Sequence, residues 1–116
     1  MNKYRDKSDF EINKAVAEHR KLNAIAYDLV EIVLFDDMDA TPFDPCNDPA
    51  DAMPIVIDNE ICMNYIDKDI GWGARHFDEE KGELEIYDKH YYRAAMICFL
   101  MMKEAENEKQ PPMRNM

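Results

Sequence analysis

The sequence predicts an α+β fold in which a small antiparallel sheet packs against an N-terminal and a C-terminal helix. Three observations indicate this class. The chain has 116 residues, the usual length of one domain. Helical patterns occur near both ends, and short apolar segments separated by turn residues lie between them. We expect a single domain over residues 1–107 and a disordered tail over residues 108–116.

The first helix is predicted over residues 9–20. Ser8 and Glu11 have the spacing of a capping box, in which the hydroxyl accepts a bond from a free helix amide and the carboxylate reaches back. Ile12 and Val16 lie on one stripe at helical spacing. The pattern therefore predicts an amphipathic helix with one buried side.

An apolar run, LVEIVLF, occupies residues 29–35. Its branched side chains are typical of a buried strand. A helix that continues through residues 22–29 fits the same stretch, because periodicity does not distinguish a short buried strand from a buried helix. Both interpretations stay open from the sequence.

Residues 36–53 are predicted to form an acidic loop, because they contain three prolines and six aspartates. Loops of this length in a small domain are usually functional or disordered. Such aspartates most often form turns and helix caps, and we expect the same of some of these.

Two hairpins are predicted after this loop. The first joins PIVI to EICMNYI around Asp58 and Asn59, which tolerate left-handed conformations. The second joins ARHF to ELEIY, and Gly82 supplies a positive φ in its turn. Asp88 then caps a helix over residues 89–106, whose middle, AAMICFLMM, is apolar nearly all round. This helix is expected to be deeply buried or to mediate self-association.

The net charge of −11 comes entirely from residues 22–67, which contain eleven acids and neither Lys nor Arg. A surface of this kind repels phosphate backbones and anionic lipid, and it attracts basic partners. We therefore expect a protein partner with a basic surface, and we expect no direct binding to nucleic acid. No apolar run approaches the roughly 18 residues of a membrane-spanning helix, so no membrane association is expected.

The predicted partner-binding residues belong to this acidic segment, with one tryptophan outside it: Asp36, Asp37, Asp39, Asp44, Asn47, Asp48, Asp51 and Trp72. The tryptophan lies between Gly71 and Gly73. It is interpreted either as an exposed binding anchor or as an indole that covers the edge of the core at a tight turn.

No catalytic or metal-binding pattern is recognised. The best match of the acidic loop to a calcium-binding loop fails, because Pro42 occupies the position that needs glycine. Cys62 and Cys98 are predicted core residues, and Cys46 has acidic neighbours that raise the pKa of its thiol. The histidines have no ligand spacing. We therefore predict no enzyme, no metal and no cofactor.

Three segments resemble the NinX-like proteins of lambdoid phages and prophages. They are SDFEINKAVA (residues 8–17), FDPCNDPADAMPIVIDNEI (residues 43–61) and RAAMICFLMMKEA (residues 93–105). The resemblance implies a phage protein that resides in the cytoplasm of a bacterial host. It implies no activity, because the family has no established function to transfer.

These observations lead to one main hypothesis and two alternatives. The main hypothesis is a small non-catalytic accessory protein that binds a host or phage protein through its acidic middle. The first alternative is a mimic of DNA, which requires the eleven acids to form one continuous ridge. The second is a small-ligand binder or enzyme with a pocket beneath residues 36–53.

Overall fold

A computed structural model of the protein describes residues 3–109, with side chains through Glu106. Within that range it contains three helices and two antiparallel sheets, which confirms the α+β class. The elements in chain order are α1 Asp9–His19, β1 Ala24–Tyr27, β2 Ile32–Phe35, α2 Pro49–Asp58, β3 Cys62–Asp67, β4 Gly71–Asp78, β5 Gly82–Asp88 and α3 Tyr91–Lys109. None of these helices is long and apolar enough to cross a membrane.

The predicted first helix is confirmed as α1. The Ser8 hydroxyl accepts a hydrogen bond from the Glu11 amide at 3.1 Å, as the capping pattern requires. The Glu11 carboxylate does not reach back and instead lies 3.8 Å from the Lys7 ammonium. Ile12 and Val16 are fully buried, so the predicted apolar stripe faces the core.

The strand predicted at residues 29–35 is confirmed only for Ile32–Phe35, which form β2, and the alternative of a continuing helix is wrong. The run contains the turn of a hairpin, in which β1 pairs with β2. Leu29 and Val30 lie in this turn with side chains 101% and 64% exposed. Glu31 closes the turn with φ 56°, and its amide donates to the Tyr27 carbonyl. The run was interpreted as one strand because two of the turn residues, Leu29 and Val30, are apolar.

The predicted hairpin around Asp58 and Asn59 is wrong, because residues 49–58 form α2. The Asp48 carboxylate accepts from the Ala50 amide at 2.9 Å and caps this helix, and Pro49 takes the first helical position. The predicted loop therefore ends at residue 48 rather than 53. Asp58 and Asn59, on which the prediction rested, end this helix instead of forming a hairpin turn, and Pro54 lies inside the helix with its side chain exposed.

The ends of α1 and α2 have the same geometry. Lys21 and Glu60 adopt left-handed conformations with φ 56° and 55°. The Lys21 amide donates to the Glu18 carbonyl, the next amide reaches back to Ala17, and the equivalent bonds close α2. These are Schellman motifs, which usually use glycine at the left-handed position. Here a lysine and a glutamate occupy it.

The predicted hairpin across Gly82 is confirmed as β4–β5, with Asp78 opposite Gly82 and φ 87° at the glycine. On its other side β4 pairs with β3, so the sheet order is β3–β4–β5. Gly71 begins β4 with φ 97°, and a Cβ there would lie 2.4 Å from the Lys89 Cα. Only glycine fits this crossing of the two chain segments.

Helix α3 forms the centre of the core. Residues 94–100 are all buried, and α3 packs against β4, β5, α1 and α2. This burial within the chain accounts for the apolar composition that suggested self-association. Asp88 precedes the helix and accepts from the His90 amide at 2.9 Å. The helix begins at Tyr91 and runs to Lys109, into the segment predicted as a tail. The rest of that tail lies outside the described residues.

Candidate functional site

Exposed apolar side chains are concentrated in one small part of the molecule. Among the described residues, twelve large apolar side chains are exposed, and six of them lie within residues 25–38. These six are Ile25, Tyr27, Leu29, Val30, Ile32 and Met38. Clustered apolar exposure of this kind marks interaction surfaces, whereas single exposed residues are ordinary.

Strand pairing explains this exposure. Ile25 lies opposite Leu34, and Tyr27 lies opposite Ile32, so all four side chains share one face of the hairpin. We call these four residues the outer hairpin face. The alternate residues, which include Val33, point to the opposite face and pack on the core. The hairpin is therefore apolar on both faces, and only one of them is covered.

Acidic side chains surround the outer hairpin face. Two lie in the hairpin turn and three in the loop that follows β2, and all are exposed. We call them the acidic rim; they are Asp28, Glu31, Asp36, Asp37 and Asp39. A base from outside the segment approaches one of them, since the Lys14 ammonium lies 3.6 Å from the Asp28 carboxylate. The surface thus combines apolar area with negative charge.

The predicted site residues divide into two groups, and the first belongs to the rim. Asp36, Asp37 and Asp39 lie together in the loop after β2. The Asp37 carboxylate accepts from the amides of Asp39 and Ala40 at 3.1 and 2.7 Å, which forms an Asx turn. This turn holds the loop and leaves its side chains at the surface.

The second group joins α1 to α2. The Asp44 carboxylate accepts from the Asn13 side-chain amide at 2.7 Å and from the Asn47 side-chain amide. The Asp44 amide donates to the Asp51 carboxylate at 2.9 Å. Burial raises the pKa of the Asp51 carboxyl, and the bond from Asp44 partly offsets this. With Asp48 as the α2 cap, these residues serve structural roles.

The model of the family described as bacteriophage P22, NinX, matches residues 3–103. The chain belongs to this family. The match confirms the resemblance seen in three segments, and it extends across the hairpin that lies between the first two of them. No curated protein and no solved structure matches the chain. Membership of the NinX family establishes a phage protein and assigns it no activity or partner.

Trp72 of this NinX-family chain does not lie in a tight turn, which corrects one part of its interpretation. It is the second residue of β4 and is half-buried. Its ring packs edge-on against Tyr65 and Tyr91, with centroid distances of 5.2 and 4.9 Å. These contacts with two aromatic side chains of the same chain account for the half-burial of the indole.

The cysteines differ from their predicted places. Cys46, predicted in an open loop, is buried, and burial first and the Asp9 charge second raise the pKa of its thiol. Cys98 is a core residue as predicted, and burial raises its thiol pKa to about 12. Cys62 is exposed rather than buried, because strand alternation places it on the outer face of the sheet opposite Arg75.

A cleft of about 220 Å³ lies between α1, β2 and residues 42–47, where the predicted pocket was placed. Its lining includes the carboxylates of Asp9, Glu31 and Asp44. The Asp9 carboxylate already bonds the Arg93 guanidinium at 2.7 Å. The described residues contain no group of three or more side chains placed to bind a metal ion.

Proposed function

We propose that this NinX-family chain is a non-catalytic accessory protein that binds a basic protein of the phage or its host, in the host cytoplasm. The binding surface is the outer hairpin face with its acidic rim. One observation carries the proposal: exposed apolar side chains and exposed acids occupy the same segment, residues 25–39.

The two features have different roles in binding. Burial of the apolar face provides affinity, because each square ångström of apolar surface removed from water contributes roughly 25 cal/mol. The acidic rim accelerates encounter with a basic surface and excludes acidic competitors. A partner with apolar residues among lysines or arginines fits both requirements.

The proposal narrows the predicted site. Asp36, Asp37 and Asp39 remain in it, and the outer hairpin face is added. Asp44, Asn47, Asp48 and Asp51 hold the chain together instead, and the aromatic contacts of Trp72 leave it no role in this proposal.

The geometry favours this function over mimicry of DNA. A mimic needs carboxylates that point outward like phosphates, but several of the eleven accept bonds from the chain itself. These are Asp37, Asp44, Asp48, Asp51, Asp58 and Asp67. An exposed apolar face has no counterpart on a DNA backbone.

The cleft beside α1 supports a second candidate, a small-ligand binder. Thermal-shift screening with divalent metals, nucleotides and amino acids tests it. A ligand at 100 times its Kd stabilises the protein by about 2.7 kcal/mol. A stabilising ligand whose effect is lost in Asn13→Ala, a lining residue of the cleft, would support this candidate. Absence of any shift counts against it.

Capture from host lysate at low and moderate salt tests the main proposal. The rim variant carries Asp36→Asn, Asp37→Asn and Asp39→Asn, and asparagine preserves the Asx turn. The control variant removes three exposed charges elsewhere, with Asp69→Asn, Glu79→Gln and Glu80→Gln. We expect wild type and control to capture a basic protein in a salt-sensitive manner and the rim variant to lose it. Equal capture by both variants contradicts the proposal.

A further inference from the structure

We infer that the partner binds as an added β-strand along β1, through an extended segment with alternating apolar residues and flanking lysines or arginines. This inference rests on the proposed function and specifies how its surface is occupied. Its basis is a difference between the two edges of the β1–β2 hairpin: one edge is covered by the chain, and the other is open.

The β2 edge is covered by residues 41–43. The Phe35 amide donates to the Thr41 carbonyl, and the Phe43 amide donates to the Val33 carbonyl, both at 2.8 Å. An isolated bridge pairs Leu34 with Pro42. The backbone groups of Val33 and Phe35 therefore point away from β1 and are satisfied by the chain.

The β1 edge is open. Ala26 and Ala24 lie opposite Val33 and Phe35, and in an antiparallel pair such opposed residues direct their peptide groups to opposite edges. The Ala24 amide donates to the Leu22 carbonyl at 2.9 Å. The backbone N–H and C=O groups of Ala26 and the C=O group of Ala24 thus point to the open edge. Within residues 3–109, β1 pairs with β2 alone.

The open edge lacks the features that protect edge strands. Such strands usually contain a lysine, a proline or a bulge, or they are covered by another element. The sequence of β1 is AIAY, and its pairing with β2 is regular. Ala24 and Ala26 point to the covered face, whereas Ile25 and Tyr27 extend the apolar outer face to this edge.

The acidic rim and the apolar outer hairpin face together determine which kind of strand can bind beside β1. A strand added beside β1 places every second side chain next to Ile25 and Tyr27, which favours apolar residues there. At its end near the turn it meets Asp28, whose carboxylate lies 3.6 Å from the Lys14 ammonium. At its other end it lies near Asp36, whose amide donates to the Asn23 carbonyl, and the exposed rim acids there favour basic residues. A second copy of the chain is a poor occupant, because each copy has a net charge of −11 and self-pairing joins two acidic surfaces.

Peptide titration of the wild-type protein, followed by amide chemical shifts, tests the inference. The probe is a synthetic peptide in which valine alternates with threonine between pairs of lysines. The matched control has the same sequence with alternate backbone amides N-methylated, so it keeps its charge and side chains but cannot pair as a strand on that edge. We expect shifts at residues 24–27 and binding of the control weaker by about tenfold or more.

Two protein variants make the test independent of the peptide chemistry. Ala26→Pro removes the outward amide and leaves the β1–β2 bonds intact, as proline does on edge strands. Tyr27→Ser removes apolar area from the outer hairpin face without changing the edge. We expect Ala26→Pro to lose peptide binding while its thermal unfolding stays cooperative.

The outcomes separate this inference from the proposed function. Equal binding of the two peptides, combined with loss of binding in Tyr27→Ser, overturns strand addition and leaves the proposed surface supported. No salt-sensitive shift in residues 24–39 with either peptide overturns both. A wild-type dimer in sedimentation that Ala26→Pro dissociates shows that the occupant is a second copy, and it overturns the basic occupant.

Discussion

The solvent-facing sides of the two sheets differ in side-chain composition. In the three-stranded sheet, α3 covers one face, and charged cross-strand contacts occupy the other. The Arg75 guanidinium lies 3.2 Å from Glu83 and 3.9 Å from Glu85, and the Tyr87 hydroxyl donates to Glu85. In the two-stranded sheet the solvent-facing side contains Ile25, Tyr27, Ile32 and Leu34.

This difference shows which apolar residues the fold needs. An antiparallel sheet with one solvated face normally alternates apolar and polar residues, and much of the three-stranded sheet follows this rule. Phe77 and Tyr87 are also exposed on its outer face, at 68% and 48%, but they lie among the charged side chains of Arg75, Glu83 and Glu85. The hairpin breaks the rule along its whole length, and the proposed binding function explains why.

A large loss of stability is expected from substitution of Arg93, which joins the N-terminal segment to the three-stranded sheet. Its guanidinium bonds Asp9 at 2.7 Å, Asp88 at 3.2 Å and the Lys7 carbonyl at 2.6 Å, and its side chain is 11% exposed. Arg93→Ala leaves a partly buried carboxylate unpaired and should lower the free energy of unfolding by about 3 kcal/mol.

Urea denaturation measures this effect, and Arg75→Ala is the matched control. The Arg75 side chain is 43% exposed, so loss of its ion pairs should cost about 0–1 kcal/mol. Equal effects of the two substitutions would show that Arg93 does not hold the two segments together.

A matched pair of isoleucines compares the two sheets directly. Ile86 is 4% exposed on the covered face of the three-stranded sheet, and Ile25 is 43% exposed on the outer hairpin face. Ile86→Ala should lower the free energy of unfolding by about 2–5 kcal/mol, whereas Ile25→Ala should change it by about 0.5 kcal/mol. A large loss from Ile25→Ala would mean that the outer hairpin face stabilises the fold.

Because two thiols are buried, we expect the free energy of unfolding to depend on pH. Burial raises the thiol pKa of Cys98 to about 12 and also raises that of Cys46. An unfolded thiol ionises near pH ~8.5. A raised folded pKa means that stability is fully present below the unfolded pKa and is lost as the pH rises toward the folded one.

The free energy of unfolding should therefore fall by about 1.4 kcal/mol per pH unit for each buried thiol above pH ~8.5. Urea denaturation between neutral and alkaline pH measures the slope. Cys98→Ala should remove the contribution of one thiol. An unchanged slope in this variant would show that Cys98 ionises in the folded protein.

The smallest changes in the free energy of unfolding are expected from two glycine substitutions, one in the hairpin turn and one in α3. We expect the first to stabilise the protein and the second to destabilise it. Glu31 has φ 56° in the hairpin turn, so Glu31→Gly should stabilise the protein by roughly 0.5–1 kcal/mol. Ala95 is buried inside α3, and Ala95→Gly should destabilise it by about 1 kcal/mol. Glu31→Gln is the control, since it removes the charge and keeps the strained backbone. Stabilisation by this control would assign the effect to charge.

Much of the fold was predictable because its local signals agree with its packing. Ser8 caps α1 and Gly82 turns β4–β5, as their residue types require. The misses have local causes: Asp58 and Asn59, which suggested a hairpin turn, end α2 instead, and two apolar residues, Leu29 and Val30, occupy the β1–β2 turn.

Of the two parts of the candidate site, the acids were predicted from the sequence and the apolar face was not. The charge count located the acids at residues 36–39, and the structure places these at the surface. The outer hairpin face was missed, because an apolar run normally indicates burial on both sides. Exposure of Ile25 and Tyr27 depends on which elements cover the hairpin, and that is a property of the tertiary structure.

Photocrosslinking tests most directly whether the outer hairpin face is a binding surface. A benzophenone side chain replaces either Tyr27 or Phe77, which are 44% and 68% exposed, in protein incubated with host lysate. We expect the Tyr27 position to give a covalent adduct with a basic protein that the rim variant loses, and the Phe77 position to give none. An adduct from the more exposed Phe77 position alone would contradict the assignment.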